Sequence, residues 1–168
     1  MNTNPNFLTF AKQNEWEKYI CERLNKRFLE CRFTTSSSFE NMHRHTDAFL
    51  CIGNNNVFRI DFKTVDWKSD ITNKGANSNF VINTTCFPSN GCNNPTDIFV
   101  FVGEYAEYAF FVYAKDIFTN EIMDVINRKA YGKYEYFYFN KSQYDNGKDY
   151  IVIKNEYIRE KALKCSFE

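Results

Sequence analysis

This 168-residue chain lacks any apolar stretch approaching the ~20 residues a membrane-spanning helix needs. It also lacks an excess of charge of either sign: 21 Lys and Arg balance 21 Asp and Glu. The global basic surplus that often marks nucleic-acid binders is therefore missing, although a local basic groove remains compatible with a neutral total. Glycine and proline are scarce, at 6 and 3, and no linker, repeat or composition shift divides the chain. A single domain over 1–168 is expected, with a core about 8–127 and C-terminal strands and a helix over 134–164. No secretory signal precedes the six cysteines, and their spacings are irregular. Free thiols in a reduced, intracellular (cytoplasmic) setting are expected, with Cys21 and Cys51 buried.

Aromatics are abundant: 18 Phe and 11 Tyr in a chain long enough to bury most of its apolar surface. Phe10, Trp16, Ile20, Leu24 and Phe28 recur at helical spacing and predict a helix over Thr9–Lys26. A short strand is expected over Phe28–Thr34, then loop from Thr35 to His45. Two apolar runs, 47–52 and 57–64, flank Gly53-Asn-Asn-Asn56 and predict a β-hairpin. The polar stretch 65–79 reads as loop, Phe80–Thr84 as strand and Cys86–Asn94 as loop. Asp97–Val102 and Tyr108–Tyr113 predict a second hairpin. Its first run is continuously apolar, as in a central strand buried on both faces. A helix over Lys115–Asn127, strands at Tyr134–Phe139 and Tyr150–Ile153, and a terminal helix over Asn155–Leu163 complete an α/β (α+β) chain with a mixed sheet.

The chemistry-bearing residues cluster in the first hairpin. If Gly53–Asn55 form its loop, pairing is symmetric about residue 54 and Asp47 falls opposite Asp61. Opposed residues share a face, with Cβ atoms ~4.5–5.5 Å apart. Lys63, two residues on, shares that face, as does Arg59, while Phe58, Ile60 and Phe62 point the other way. Two carboxylates so close repel unless a cation sits between them. A hard divalent ion such as Mg²⁺ is the natural occupant, because it takes oxygen ligands and keeps water positions open.

This pattern resembles the PD-(D/E)XK nuclease superfamily, whose core is an Asp at the start of one strand and Asp/Glu-x-Lys on the next. Here thirteen residues separate Asp47 from the triplet Asp61-Phe62-Lys63. Glu17 matches the family's Glu on the preceding helix, with Ile20 and Leu24 three and seven positions later. Thr46 replaces the usual Pro, Gln13 and Asn14 replace a small residue, and no Gln follows Lys63 on the next helix. The resemblance spans roughly residues 10–115. It implies a restriction-endonuclease-like mixed sheet flanked by helices, and Mg²⁺- or Mn²⁺-dependent hydrolysis of DNA phosphodiester bonds. By it, Asp47, Asp61 and Glu17 hold the metal, with Glu17 giving a ligand or a water contact. Lys63 orients or deprotonates the attacking water, or stabilises the pentavalent phosphate. Small members include Holliday-junction resolvases, which act as homodimers on recombination intermediates, and the size also suits phage or mobile-element nucleases. The rival implication is a catalytically inactive nuclease-fold module that binds nucleic acid or protein. RNA is the alternative substrate.

Around this patch, His43, Arg44, His45, Lys68 and Lys74, with Lys12, are candidate nucleic-acid contacts. His43 and His45 could also bind metal with Cys86 or Cys92, but the spacing fits no zinc pattern and a solvated loop is the preferred reading. The aromatic run Tyr131–Phe139 fits a half-buried strand better than a base-stacking platform. Asp97 reads as a strand-edge cap rather than a supporting acid.

Overall fold

A computed structural model describes residues 10–64, 80–88, 93–102, 108–130, 136–141 and 149–167. Helix α1, Phe10–Arg27, ends with Lys26 and Arg27 in its last turn, where cations suit the negative end of the helix dipole. Its buried stripe is Ile20, Cys21 and Leu24. Asn25 then mimics a strand: its Nδ2 donates to the Phe33 carbonyl (2.8 Å), and its Oδ1 accepts from the Phe33 N–H (2.7 Å). This pins strand β1, Cys31–Thr35, beside the helix. The strand starts later than expected because α1 runs on to Arg27 and a turn follows.

Residues 35–45 are not all loop. Ser38–Arg44 form a helix, α2, whose N-cap Ser37 accepts from the Glu40 N–H. His45 closes it in the left-handed conformation (φ 50°). The hairpin follows as expected. Strands β2 (Ala48–Ile52) and β3 (Asn56–Thr64) pair from Ala48↔Ile60 to Ile52↔Asn56, and Gly53 takes the φ of 63° that turns the chain. Residues 65–79 lie outside the described residues.

Strand β4, Phe80–Asn83, leads into a 3-10 turn at Thr84–Cys86. Strand β5 (Ile98–Val102) runs parallel to β3, and β6 (Tyr108–Tyr113) runs antiparallel to β5. Every residue of β5 is buried, as its unbroken apolar run predicts. Asp97 caps the strand edge: its Oδ2 accepts from the Arg59 N–H at 2.8 Å.

The helix expected over 115–127 is two. Helix α3 (Ala114–Ile117) stops at Phe118, and α4 (Asn120–Asn127) restarts at Thr119, whose hydroxyl accepts from the Ile122 N–H at 3.2 Å. Thr119→Ala is expected to lower unfolding free energy by about 1 kcal/mol in urea denaturation, the usual cost of losing such a cap. Strands β7 (Phe137–Lys141) and β8 (Asp149–Ile153) pair antiparallel, and α5 covers Asn155–Lys161. The helix expected to reach 163 ends at Lys161, and an unanticipated strand β9, Leu163–Ser166, adds to β6.

The result is a mixed six-stranded sheet, β1-β2-β3-β5-β6-β9, and a three-stranded sheet, β4-β8-β7. Alternation along β3 and β5 divides the interior. Ile60, Phe62, Val100 and Val102 pack under α1. Phe99 and Phe101 face the other way, against Phe80, Phe110 and the second sheet. The Phe80 ring meets those of Phe101 and Phe110 edge-on at 5.0 and 5.2 Å. No helix of the described residues is long and apolar enough to cross a membrane. Of the thiols expected to be buried, Cys21 is, whereas Cys51 is half-buried.

Candidate metal and catalytic centre

The hairpin register assembles the site. Asp47 immediately precedes β2, and its backbone continues the ladder on both sides: its N–H donates to the Ile60 carbonyl (2.8 Å), and its carbonyl accepts from the Ser36 N–H (2.9 Å). The regular pairing ends at Ala48↔Ile60, so Asp47 shares Ile60 with Ala48 as in a bulge, and its carboxyl lies close to that of Asp61 without the two residues being paired in the register. Asp47 Oδ2 accepts from the Phe62 N–H at 2.7 Å. Asp61 Oδ1 accepts from Lys63 Nζ at 2.6 Å. The other oxygen, Asp61 Oδ2, is buried and has no hydrogen-bond partner among the described residues. Glu17 approaches from α1 closely enough for its charge to bear on Asp47 and Asp61, and Asn41 Nδ2 lies 3.3 Å from each of its oxygens. Asp47, Asp61 and Glu17 are all buried.

Electrostatics follow from this crowding. Burial, with Asp61 nearby, pushes the Glu17 carboxyl up to about 7, although Asn41 and Lys63 pull the other way. The Asp47 carboxyl stands well above the usual carboxylate range, first through burial and then through the Asp61 and Glu17 charges. Burial opposes the Lys63 ammonium, but Asp61, Cys86 and Asp47 outweigh it and hold the amine protonated above its ordinary value. Burial also raises the Cys86 thiol, against the pull of Lys63. Protons on Glu17 and Asp47 thus offset negative charge that a cation could offset instead. The donor set is hard oxygen, and the orphaned Asp61 Oδ2 offers a free lone pair, which fits a divalent ion of the Mg²⁺ type.

Of the supporting residues, Arg59 was placed on this face by the sequence, whereas Glu40 and Asn41 were not singled out. Arg59 shares the Asp61 face, but it is tied down: its Nη1 donates to Glu40 Oε2 (2.5 Å) and Thr46 Oγ1 (3.1 Å), binding α2 to the hairpin. That pairing holds the Glu40 carboxyl below its ordinary value. Asn41, the Glu17 partner, depends on α2 existing. The signal for that helix was present, since Ser37-x-x-Glu40 is the spacing of an N-terminal capping box.

The remaining candidates separate. His43 is exposed on α2, its ring 4.7 Å from that of Phe39. Arg44 is exposed and pairs with Glu40 at 3.4 Å. His45 is not a solvated loop residue: it is half-buried, with a ring nitrogen close to the Asp61 carboxylate and the Cys86 sulfur. Lys68 and Lys74 lie outside the described residues, as does Cys92.

No family model, curated protein or solved structure significantly matches the chain.

Proposed function

We propose that this protein is a metal-dependent nuclease of the PD-(D/E)XK kind that hydrolyses phosphodiester bonds in DNA. The observation that carries the reading is the convergence of Asp47, Asp61, Lys63 and Glu17, drawn from a hairpin and the helix before it, into one buried acidic patch with, among the described residues, a single amine. Their order along the chain and their placement on helix, strand start and second strand agree with the restriction-endonuclease-like arrangement.

In this reading Asp47 and Asp61 hold Mg²⁺ or Mn²⁺, with Glu17 as a further ligand or a water contact. A bound ion supplies Lewis-acid polarisation of the phosphate and a water of lowered pKa. The chain's own contribution is placement and charge. Asp47 is fixed by the Phe62 N–H, and Asn41 steers Glu17. Lys63 Nζ, 2.6 Å from Asp61 Oδ1, is placed to act as a charge beside the pentavalent phosphate and as a hydrogen-bond donor to the attacking water.

The test is a cleavage screen with Mg²⁺ and Mn²⁺ on duplex, flap, single-stranded and four-way DNA, with matched RNA. Metal-dependent cutting of DNA that chelation stops is the expected outcome. Preference for four-way or flap substrates, by a dimer, would extend the reading to recombination or repair intermediates. Absence of cutting with both ions on every substrate overturns it.

A second reading, a nuclease-like fold that only binds, draws on the zero net charge and on the engagement of Arg44 and Arg59 by Glu40. It expects no cleavage and no rise in thermal midpoint with Mg²⁺ or Mn²⁺.

A further inference from the structure

Three donors of different chemistry meet beside the acidic patch. A ring nitrogen of His45, a carboxylate oxygen of Asp61 and the sulfur of Cys86 all lie within 4.8 Å of one another. They come from separate segments: the left-handed end of α2, the middle of β3, and the 3-10 turn after β4. Two of those segments are tied together. Asn94 Nδ2 donates to the Cys86 carbonyl (2.7 Å), while its Oδ1 accepts from the Thr96 N–H (2.9 Å). The Thr96 hydroxyl lies 2.6 Å from Asn94 Oδ1 and 3.4 Å from the His45 carbonyl. One hydroxyl proton serves one acceptor at a time, so the shorter contact dominates. Asn94 thus ties Thr96 to the backbone that carries the thiol, with the Thr96 hydroxyl packed beside the His45 carbonyl. Asp61 is 2% exposed, and its Oδ2 has no hydrogen-bond partner among the described residues, a costly state for a buried oxygen. The hard-ion pair with Asp47 leaves unexplained why a thiol and an imidazole face the same carboxylate.

We infer that His45, Asp61 and Cys86 form a second metal site, of mixed nitrogen, oxygen and sulfur character, for an ion of the zinc class. Imidazole, carboxylate and thiolate are the donors zinc takes, and three protein ligands leave its fourth position open. Magnesium does not favour a thiolate. Zinc bonds of ~2.0–2.3 Å set tetrahedral donors roughly 3.3–3.8 Å apart, so closing around the ion needs a shift of about 1 Å, within reach of side-chain rotation. The Cys86 thiol loses its proton to solvent as the metal–sulfur bond forms. Asp61 would serve both ions, so zinc and magnesium would compete for its two oxygens. That competition rests on the nuclease reading; the zinc-class site does not.

Co²⁺ titration of the whole chain tests the inference. An intense thiolate-to-cobalt band in the near ultraviolet is expected to saturate with a single ion per chain and to disappear when Zn²⁺ is added. Cys86→Ala should abolish the band. His45→Asn should weaken Co²⁺ binding at least about tenfold, and asparagine tolerates the left-handed backbone there. Cys51→Ser should leave the band intact, and circular dichroism checks that each variant folds. No thiolate band in the wild type, or one that survives Cys86→Ala, overturns the site, and the wild-type result decides if a variant fails to fold. A band in a protein that cuts no nucleic acid upholds the site and removes the nuclease reading. Cleavage without a band does the reverse.

Discussion

Asp61→Ala is expected to lower metal-dependent DNA cleavage at least about a thousandfold, a loss of roughly 4 kcal/mol of transition-state stabilisation. Asp61 is the common point of the site. Its carboxyl lies close to that of Asp47, binds the Lys63 ammonium at 2.6 Å and carries the orphaned oxygen. Removing it takes away a metal ligand and the anchor of the amine together. Lys63→Ala should cost about a hundredfold or more by removing a fixed positive charge next to the developing phosphate charge. Asp97→Ala is the control. Asp97 also meets β3, but at the Arg59 N–H on the strand edge, so cleavage should survive its loss. Rates measured on the preferred substrate decide the matter. If Asp61→Ala cuts like wild type, the catalytic assignment fails.

Lowering the pH from 8 to 5 in metal-free buffer should stabilise the fold, and Mg²⁺ should reverse that preference. The Glu17 carboxyl sits at about 7 in the folded chain against an ordinary 4.5, chiefly because it is buried. Between those values the folded state binds more protons than the unfolded one, so stability falls as pH rises through the window. The groups that set its pKa are Asn41, Asp61 and Lys63, and Asp47, raised in turn by Glu17, adds a slope of the same sign. Glu17 alone accounts for up to about 3 kcal/mol, or roughly 6–12 °C in thermal midpoint for a chain of this size. Glu40 works in the opposite sense, because Arg59 holds it below its ordinary value, and its effect appears only under more acidic conditions. Mg²⁺ competes with the protons, so it should raise the midpoint at pH 8 and do little at pH 5. Glu17→Gln should flatten the profile. A midpoint independent of pH across this range and insensitive to Mg²⁺ would count against the buried acidic cluster.

The hairpin was legible because it is governed by local rules. One positive-φ glycine and two apolar runs fix the loop, and the loop fixes the register from Ile52↔Asn56 to Ala48↔Ile60; beyond it Asp47 turns its N–H to Ile60, which the symmetric pairing did not foresee. The central strand β5 and the edge cap Asp97 were legible for similar reasons of pattern and position. What escaped depended on short signals or distant partners. Helix α2 is only Ser38–Arg44, too short for apolar periodicity, and it falls within the stretch from Thr35 to His45 expected as loop. The break at Phe118–Thr119 is invisible to a helical stripe that continues on either side. Strand β9 is four residues with Leu163 and Lys164 exposed, and only its pairing with β6 makes it a strand. The meeting of His45 with Cys86 spans forty-one positions and runs through Asn94 and Thr96, which no local motif joins.

The termini of the large sheet bear on self-association. At one end β1 spans Cys31–Thr35, with Arg32 exposed; at the other, β9 spans Leu163–Ser166, with Lys164 folded over the Tyr108 ring. Brief outer strands with cationic side chains are how soluble proteins keep open backbone ladders from recruiting neighbours. Deleting residues 163–166 would uncover β6, a six-residue apolar strand of the kind that templates cross-β pairing.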